Sequence, residues 1–285
     1  MHELIATGDG SLTLRDHETG ELYHNSAGAY KEALVNYTIP SGALERLKSG
    51  QEVLLLDVCF GLGYNTLVLI QEAINQSCAG KLNVIGIEND SSLLGLTDKI
   101  LAFEKFSPLA SALNSKELKE TGKCSFISNS MQVELSIKLD SLIKAVPSLQ
   151  QDFDFIFHDP FSPKRVPELW TAELFQIYFR LLHKREGAVL TYSSAGAVRG
   201  GLKEAGFTVK KTSALGGKTG GTLALINEQA SGFIFEELAP DELRRCSGRS
   251  AIPFRNGNFS LNRESILALR QREQAAYVPR GLGPA

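Results

Sequence analysis

The sequence predicts an α/β fold built on a mixed, mostly parallel sheet, and three observations point to it. Apolar runs that end in an acidic residue alternate with segments of helical period. One of these runs opens directly onto a glycine turn, and two strand-like runs follow each other late in the chain with no helix between them. Strands of a parallel sheet are covered on both faces and so read as unbroken apolar runs, whereas a closing pair of consecutive strands makes the sheet mixed.

The organising stretch is VLLLDVCFGLGYN, residues 53–65. Val53 to Leu56 reads as a central strand, closed by Asp57. Gly61 and Gly63 lack a Cβ, so the backbone can bend sharply there and a ligand can lie against it. Tyr64 to Gln76 then has helical period, with Leu67, Leu69, Ile70 and Ile74 as its apolar positions. A dinucleotide fingerprint would require glycine where Thr66 stands, and the Gly-Lys-Ser/Thr of a phosphate loop is absent from this stretch. What remains, D-x-x-x-G-x-G, resembles the first motif of the class I methyltransferases, with Cys59 in place of the usual first glycine.

Ahead of this unit, Ser11–Leu14 and Glu21–His24 flank Asp16, Glu18 and Gly20, the pattern of a hairpin, and Ala29–Val35 reads as a short helix. Residues 1–50 are therefore expected to form an N-terminal cap, with His24 and Glu32 within reach of a substrate. After the first helix, Leu82–Ile87 is a second strand ended by Glu88. A carboxylate at that place can accept hydrogen bonds from both hydroxyls of a ribose. Helix 91–104 follows, and Cys124–Ser128 reads as the third strand, which puts Asn129 or Ser130 where an adenine amino group would be bound.

The fourth strand, FDFIFHD at 153–159, delivers Asp159 to the carboxyl edge of the sheet, where ligands of open α/β folds bind. Pro160 and Pro163 stiffen the loop after it. Leu169–His183 reads as a helix, Gly187–Tyr192 as the fifth strand and Ala197–Ala205 as a further helix. Phe207–Ala214 and Thr222–Asn227 are the closing strands, so the sheet has seven. The intervening Gly-Lys-Thr lacks the spacing and the following helix of a phosphate loop. Residues 228–285 form a basic tail in which Asn262 caps a helix reaching about Ala276, docked through Ile266 and Leu269. From Arg244 onward stand eight arginines against two acids, Glu264 and Glu273. With Lys164, Arg165, Arg199, Lys210, Lys211 and Lys218 they suggest a track for a phosphate backbone.

A formal charge of −2 over 285 residues leaves no global basic field, so contact with nucleic acid has to be local. The four cysteines are scattered without a C-x-x-C pair, against a zinc site and against a disulfide scaffold. No metal is expected. Neither a basic-apolar leader nor a run of about 18 apolar residues occurs, and a soluble cytoplasmic protein is expected.

Asp159-Pro160-Phe161 resembles the Asp-or-Asn, proline and aromatic set that enzymes methylating amino nitrogens place at this point of the sheet, which implies the chemistry of an amine methylation. The amine has to arrive unprotonated with its lone pair aimed at the methyl group. Asp159 can fix that direction or take the released proton, and the aromatic ring supports a base. DVCFGLGYN, IEND at 87–90, FDFIFHDPFSPKRVPELWT at 153–171, TYSSAGAVRGGLKEAGF at 191–207 and the G-K-T-G-G-T loop together resemble, in order and spacing, the methyltransferase component of the MnmC family. The resemblance covers most of residues 1–227. It implies a Rossmann-like class I methyltransferase domain over 51–227 that uses S-adenosylmethionine to methylate the 5-aminomethyl group of wobble (2-thio)uridine in the tRNA anticodon loop, and a stand-alone form without the FAD oxidase of bifunctional members.

By position, the resemblance implies that Asp159 stands beside the amine. It implies that Phe161, Ser162 and Trp170 shape the uridine pocket, with Lys164, Arg165, Arg199 and Lys218 on the substrate side. Asp57, Gly61, Gly63, Asn65, Glu88, Asn129 and Ser130 form the cofactor set. Two alternatives stand beside this reading. An aminopropyltransferase of the spermidine synthase type shares the fold, although Lys164 and Arg165 oppose a polycation. A non-catalytic RNA-binding scaffold would suit Cys59 and the absence of an acid after Ser128.

Overall fold

The computed structural model describes residues 3–16, 20, 22–214 and 220–278. Ten strands lie among them: β1 (Glu3–Ala6), β2 (Leu12–Arg15), β3 (Glu52–Val58), β4 (Lys81–Glu88), β5 (Lys123–Ser128), β6 (Met131–Leu139), β7 (Phe155–His158), β8 (Ala188–Thr191), β9 (Thr208–Lys211) and β10 (Thr222–Leu225). The last eight form one sheet in the order β5-β6-β4-β3-β7-β8-β10-β9. From β6 to β8 all neighbours are parallel, and β10 runs antiparallel to both β8 and β9. This is the mixed sheet of the class I methyltransferases with one additional edge strand.

The additional strand corrects the reading of 124–130. Lys123–Ser128 is an antiparallel edge strand, and the third parallel strand is β6, which it joins through the two-residue turn Asn129-Ser130. Asn129 takes a left-handed φ of 55°, a conformation that asparagine tolerates better than most residues. Because β6 starts at Met131 and runs parallel to β4, Asn129 and Ser130 sit at the amino edge, away from the ligand edge. Asp140, just past β6, stands at the carboxyl edge in their place, its N–H bonded to the Glu88 carbonyl at 2.9 Å.

Helices cover both faces. On one face, helix Tyr64–Asn75, the segments from Leu93 to Leu118 and the N-terminal Ala29–Leu47 stretch share a core with Leu55, Val84, Leu135 and Phe157. On the other, helices Ala172–Leu181 and Gly196–Glu204 pack on Leu56, Ile87, Ile156 and Val189. The tail joins this second core through Leu238, Cys246, Phe254 and Ile266. As expected, the Asn262 side chain caps helix Arg263–Ala276, accepting the Ser265 N–H at 3.0 Å.

The expected hairpin forms only in part, without a full strand on its return leg. β2 pairs along its length with β1, and the return leg meets β2 through the bridge Arg15↔Leu22, the Tyr23 N–H on the Leu14 carbonyl at 2.9 Å and the His24 N–H on Thr13 Oγ1 at 3.1 Å. Residues 22–25 are turned instead over the carboxyl edge of the sheet, where Tyr23 meets Phe161 and His24 meets Tyr64 edge-on.

Arg199 is the other departure. It is 2% exposed, and its guanidinium is consumed by Glu242 at 3.0 Å, Thr222 Oγ1 at 3.0 Å and the Gly221 carbonyl at 3.2 Å, so it is not on the substrate side. The pair clamps helix Pro240–Arg245 to the start of β10. Removing Arg199 leaves Glu242 with only Lys211 at 3.3 Å and the Ala239 N–H at 3.0 Å, and takes a buried donor from Thr222 and the Gly221 carbonyl. Arg199→Ala is therefore expected to lower unfolding free energy in urea melts by about 2–4 kcal/mol; a loss below about 1 kcal/mol would show that Lys211 alone satisfies Glu242.

Candidate functional site

Strand order reverses between β3 and β7, and the carboxyl ends of those two strands open into a cavity of about 610 Å³. Its floor is the turn after β3. Three successive odd positions there, Cys59, Gly61 and Gly63, have φ of 60°, 58° and 80°. Cys59 thus holds, at a steric cost, the left-handed conformation that the usual glycine adopts freely, and the turn keeps its shape. The Phe60 ring is wedged beneath it: a Cβ on Gly63 would lie 2.7 Å from that ring, and one on Gly86 2.9 Å. Gly61, by contrast, faces open space, with nothing closer than 3.7 Å to an added Cβ.

Glu88 draws this wall together. Its Oε2 accepts the Gly61 N–H at 2.7 Å, and its Oε1 accepts those of Asn89 and Asp90 at 2.8 and 2.9 Å. Oε1 is thereby filled, and Oε2 retains one lone pair for a further donor. Glu88 and Asp140 line the cavity from the ends of adjacent parallel strands, one strand spacing apart. A bare glycine face beside two carboxylates in a cavity of this size fits a nucleoside whose ribose and base both offer donors.

Across the reversal point stands Asp159. Its Oδ2 accepts the Asn65 amide N–H at 2.8 Å, and the Tyr37 hydroxyl supplies a second bond. Tyr37 sits in the π-helical turn Leu34–Thr38, 3.4 Å from the His158 carbonyl, and accepts the Tyr192 N–H at 3.3 Å. Burial raises the proton affinity of Asp159 above the usual carboxylate range, and the Asn65 and Tyr37 bonds offset part of the rise. A carboxylate so placed can accept an N–H and afterwards a proton.

Tyr23, His24, Asn25 and Glu32 close the cavity from the N-terminal side. Tyr23 packs edge-on to Phe161 with centroids 4.9 Å apart, and the Glu32 carboxylate holds the Asn25 N–H at 2.6 Å. Burial lowers the His24 pKa to about 4, so the ring is neutral at physiological pH, where it shares a 3.1 Å bond with Thr13. On the opposite wall the Tyr192 hydroxyl donates to the Pro160 carbonyl at 3.0 Å.

Of the residues that the resemblance assigns to cofactor or substrate, Gly61, Asn65, Glu88, Asp159, Phe161 and Ser162 line the cavity, beside His24 and Glu32 of the expected cap. Gly63 and Asp57 lie behind it. Asp57 is fully buried under the turn and accepts the Thr66 hydroxyl at 2.6 Å, while its Oδ1 has no partner. Asn129 and Ser130 are at the far edge of the sheet. Trp170 is fully buried in the second core: its ring packs 4.5 Å from His158, and its Nε1–H bonds the Phe161 carbonyl at 2.9 Å, so it props the loop from behind instead of lining the cavity. Lys164 is exposed on the outer side of that loop, Arg165 is half-buried there, and neither lines the cavity. Lys218 lies outside the described residues. Tyr23, Tyr37, Asp140, Glu168 and Tyr192 were not singled out. Only Asp140 had a signal, as the acid that closes an alternating run.

Among the described residues no group of three or more His, Cys, Asp or Glu side chains could hold a metal ion, and no helix is long and apolar enough to cross a membrane.

Comparison with known proteins agrees with this geometry. A family described as S-adenosyl-L-methionine-dependent methyltransferase matches residues 104–227. The chain is 30% identical over 214 residues to the tRNA 5-methylaminomethyl-2-thiouridine biosynthesis bifunctional protein MnmC of Cupriavidus necator, covering 73% of this chain and 32% of that protein. The chain therefore spans about a third of the length of such bifunctional relatives. An uncharacterized protein of Methanocaldococcus jannaschii is 26% identical over 281 residues, 96% of this chain and 72% of its own length. Among solved structures, MnmC2 of Aquifex aeolicus is similar with a TM-score of 0.79 at 26% identity, over 97% of this chain and 86% of that one.

Burial raises the Asp57 pKa to about 8. The folded chain then keeps a proton that the unfolded chain releases near the ordinary carboxylate value, so stability falls as pH rises between about 4 and about 8, by up to about 1.4 kcal/mol per unit. Asp57→Asn removes that slope and adds only a constant offset. The stability difference between variant and wild type, read from urea melts, should increase from about pH 5 to about pH 8; a flat difference would mean that Asp57 is ionised throughout.

Proposed function

Because the chain belongs to the S-adenosyl-L-methionine-dependent methyltransferases and is related to MnmC, we propose that it methylates the amino nitrogen of a 5-aminomethyl group on a wobble uridine in the anticodon loop of tRNA. The observation that carries this reading is one cavity in which the Gly61–Glu88 wall faces an Asp159 carboxylate held ready by Asn65. Bound there, S-adenosylmethionine supplies an electrophilic methyl group on a sulfonium sulfur.

The chain's own residues do the rest. Glu88 and Asp140 receive hydroxyl and amino donors of the nucleoside part, and Gly61 leaves room for it to lie flat on the turn. Asn65 and Tyr37 fix one rotamer of Asp159, so that its free lone pairs meet an N–H of the incoming amine. Burial raises its proton affinity, which suits it to take the proton that the nitrogen sheds on becoming a dialkylamine. Phe161 and Tyr23 offer ring faces and edges to a uracil splayed out of a single-stranded loop. The anticodon stem would run over the outer face of the Pro160–Val166 loop, where Lys164 is exposed and the Arg263 guanidinium docks on the Lys164 carbonyl at 3.0 Å.

The reading is tested with purified tRNA carrying 5-aminomethyl wobble uridine and labelled donor. Wild type should transfer one methyl group to that nucleoside. Asp159→Ala should bind S-adenosylmethionine with near wild-type affinity by calorimetry while turnover falls roughly 10²–10⁴-fold. Unchanged turnover would remove Asp159 from the reaction.

A further inference from the structure

The short helical turn Pro167–Trp170 presents Glu168 to the cavity. It is a firmly held turn. Trp170 at its end is fully buried against His158, the residue before Asp159, and bonds back to the Phe161 carbonyl, so the loop from Asp159 to Trp170 is closed on itself. Pro167 fixes its own φ at the start. In this turn the Glu168 Oε2 is shielded from solvent and has no hydrogen-bond partner. Shielding a carboxylate oxygen without a donor is costly, and natural folds keep such groups where a ligand supplies the donor. The same cavity contains Asp159, which already takes one Asn65 N–H and faces the proposed amine.

We propose that Glu168 accepts the second N–H of the substrate's primary amine, so that Asp159 and Glu168 together require a primary amine and end the reaction after one methyl transfer. The inference rests on the reading of the substrate given above.

A neutral primary amine has two N–H bonds and one lone pair. With one N–H on Asp159 and the other on Glu168, the tetrahedral nitrogen has a single direction left for its lone pair. That pair forms the new N–C bond while the C–S bond breaks and leaves its electrons on sulfur. The resulting dialkylammonium gives one proton to Asp159 and leaves as the neutral secondary amine; Asp159 passes the proton to solvent when the cavity opens. A secondary amine has only one N–H. Rebinding it for a second transfer would press its methyl group against one of the two carboxylates and leave that buried oxygen without a donor, a loss that discriminates strongly.

The test uses the full chain, S-adenosylmethionine, and tRNA whose wobble uridine carries either the 5-aminomethyl or the 5-methylaminomethyl group, with products read by nucleoside mass spectrometry and donor affinity by calorimetry. Wild type should methylate the first tRNA once and leave the second unchanged. Glu168→Ala should bind the donor normally, lose roughly 100-fold in kcat/KM on the primary amine, and yield a dimethylated nucleoside from both tRNAs. Glu168→Gln keeps an acceptor without the charge, so it should lose roughly tenfold and remain monomethylating. The inference is overturned if either variant, binding donor with wild-type affinity, turns over the primary amine at the wild-type kcat/KM. It also falls if wild type ignores the aminomethyl tRNA, an outcome that removes the substrate reading itself and so differs from a failure of the Glu168 variants alone.

Discussion

The hydrogen bond from the Asn65 amide to the Asp159 carboxylate joins the two halves of the sheet at the place where strand order reverses. Asn65 belongs to the first turn of the helix after β3, and Asp159 follows β7 directly. One interaction of 2.8 Å thereby sets the distance between the wall proposed for a nucleoside and the carboxylate proposed for an amine. It depends in turn on the turn below it: if Phe60 did not fill the space left by Gly63 and Gly86, the helix would start elsewhere and Asn65 would point elsewhere. The precision of the site is inherited from packing, which is stiff, and not from the loop, which on its own is not.

How much of this could be read in the sequence follows from what each signal reports. The central strands were legible because burial on both faces leaves an unbroken apolar run, and Glu88 and Asp159 were legible because a strand end has one outcome in a parallel sheet. The β5–β6 hairpin was not, although MQVELSIKL alternates from Met131 to Leu139 as a half-exposed strand should. Taking Cys124–Ser128 as the third strand left that alternation unused and moved the expected adenine contact to Asn129. With β6 in place, Asp140 supplies the acid whose absence favoured a scaffold without activity. Cys59, the other argument for a scaffold, adopts the left-handed backbone that its position demands. Tyr37 left no trace in the sequence, because a contact across more than 100 residues has no period, and Glu168 left none, because a lone acid in a proline-bounded loop belongs to no pattern.

Charge was the least legible property. A count of arginines treats each as available, yet Arg255 is shared between Glu204 and Glu273, Arg270 spans the carbonyls of Ile252 and Ser250 over the Phe254 ring, and Arg199 is sealed against Glu242. These contacts fold the tail on itself and fasten it to helix Gly196–Glu204. Such pairs do more to fix where a helix docks than to raise stability, since desolvation cancels much of the attraction. The basic tail is thus in large part a fastening, and the surface left for a polyanion is narrower than composition suggests.

The cavity itself shows the same principle from the opposite side. Burial pushes Asp57 and Asp159 toward their protonated forms and His24 and His158 toward their neutral forms, with pKa values of about 4 and about 3 for the two histidines. The groups around the reversal point therefore carry less charge than a count of their acids implies. A positive centre entering such a space restores the charge of the carboxylates it meets, because an opposite charge in a poorly screened cavity favours ionisation. A cavity lined by Glu32, Glu88, Asp90, Asp140, Asp159 and Glu168 responds to a cation and gives little to an anion. That electrostatic asymmetry, built from burial and from the Asn65 and Tyr37 bonds, favours the amine proposed above over an anionic acceptor.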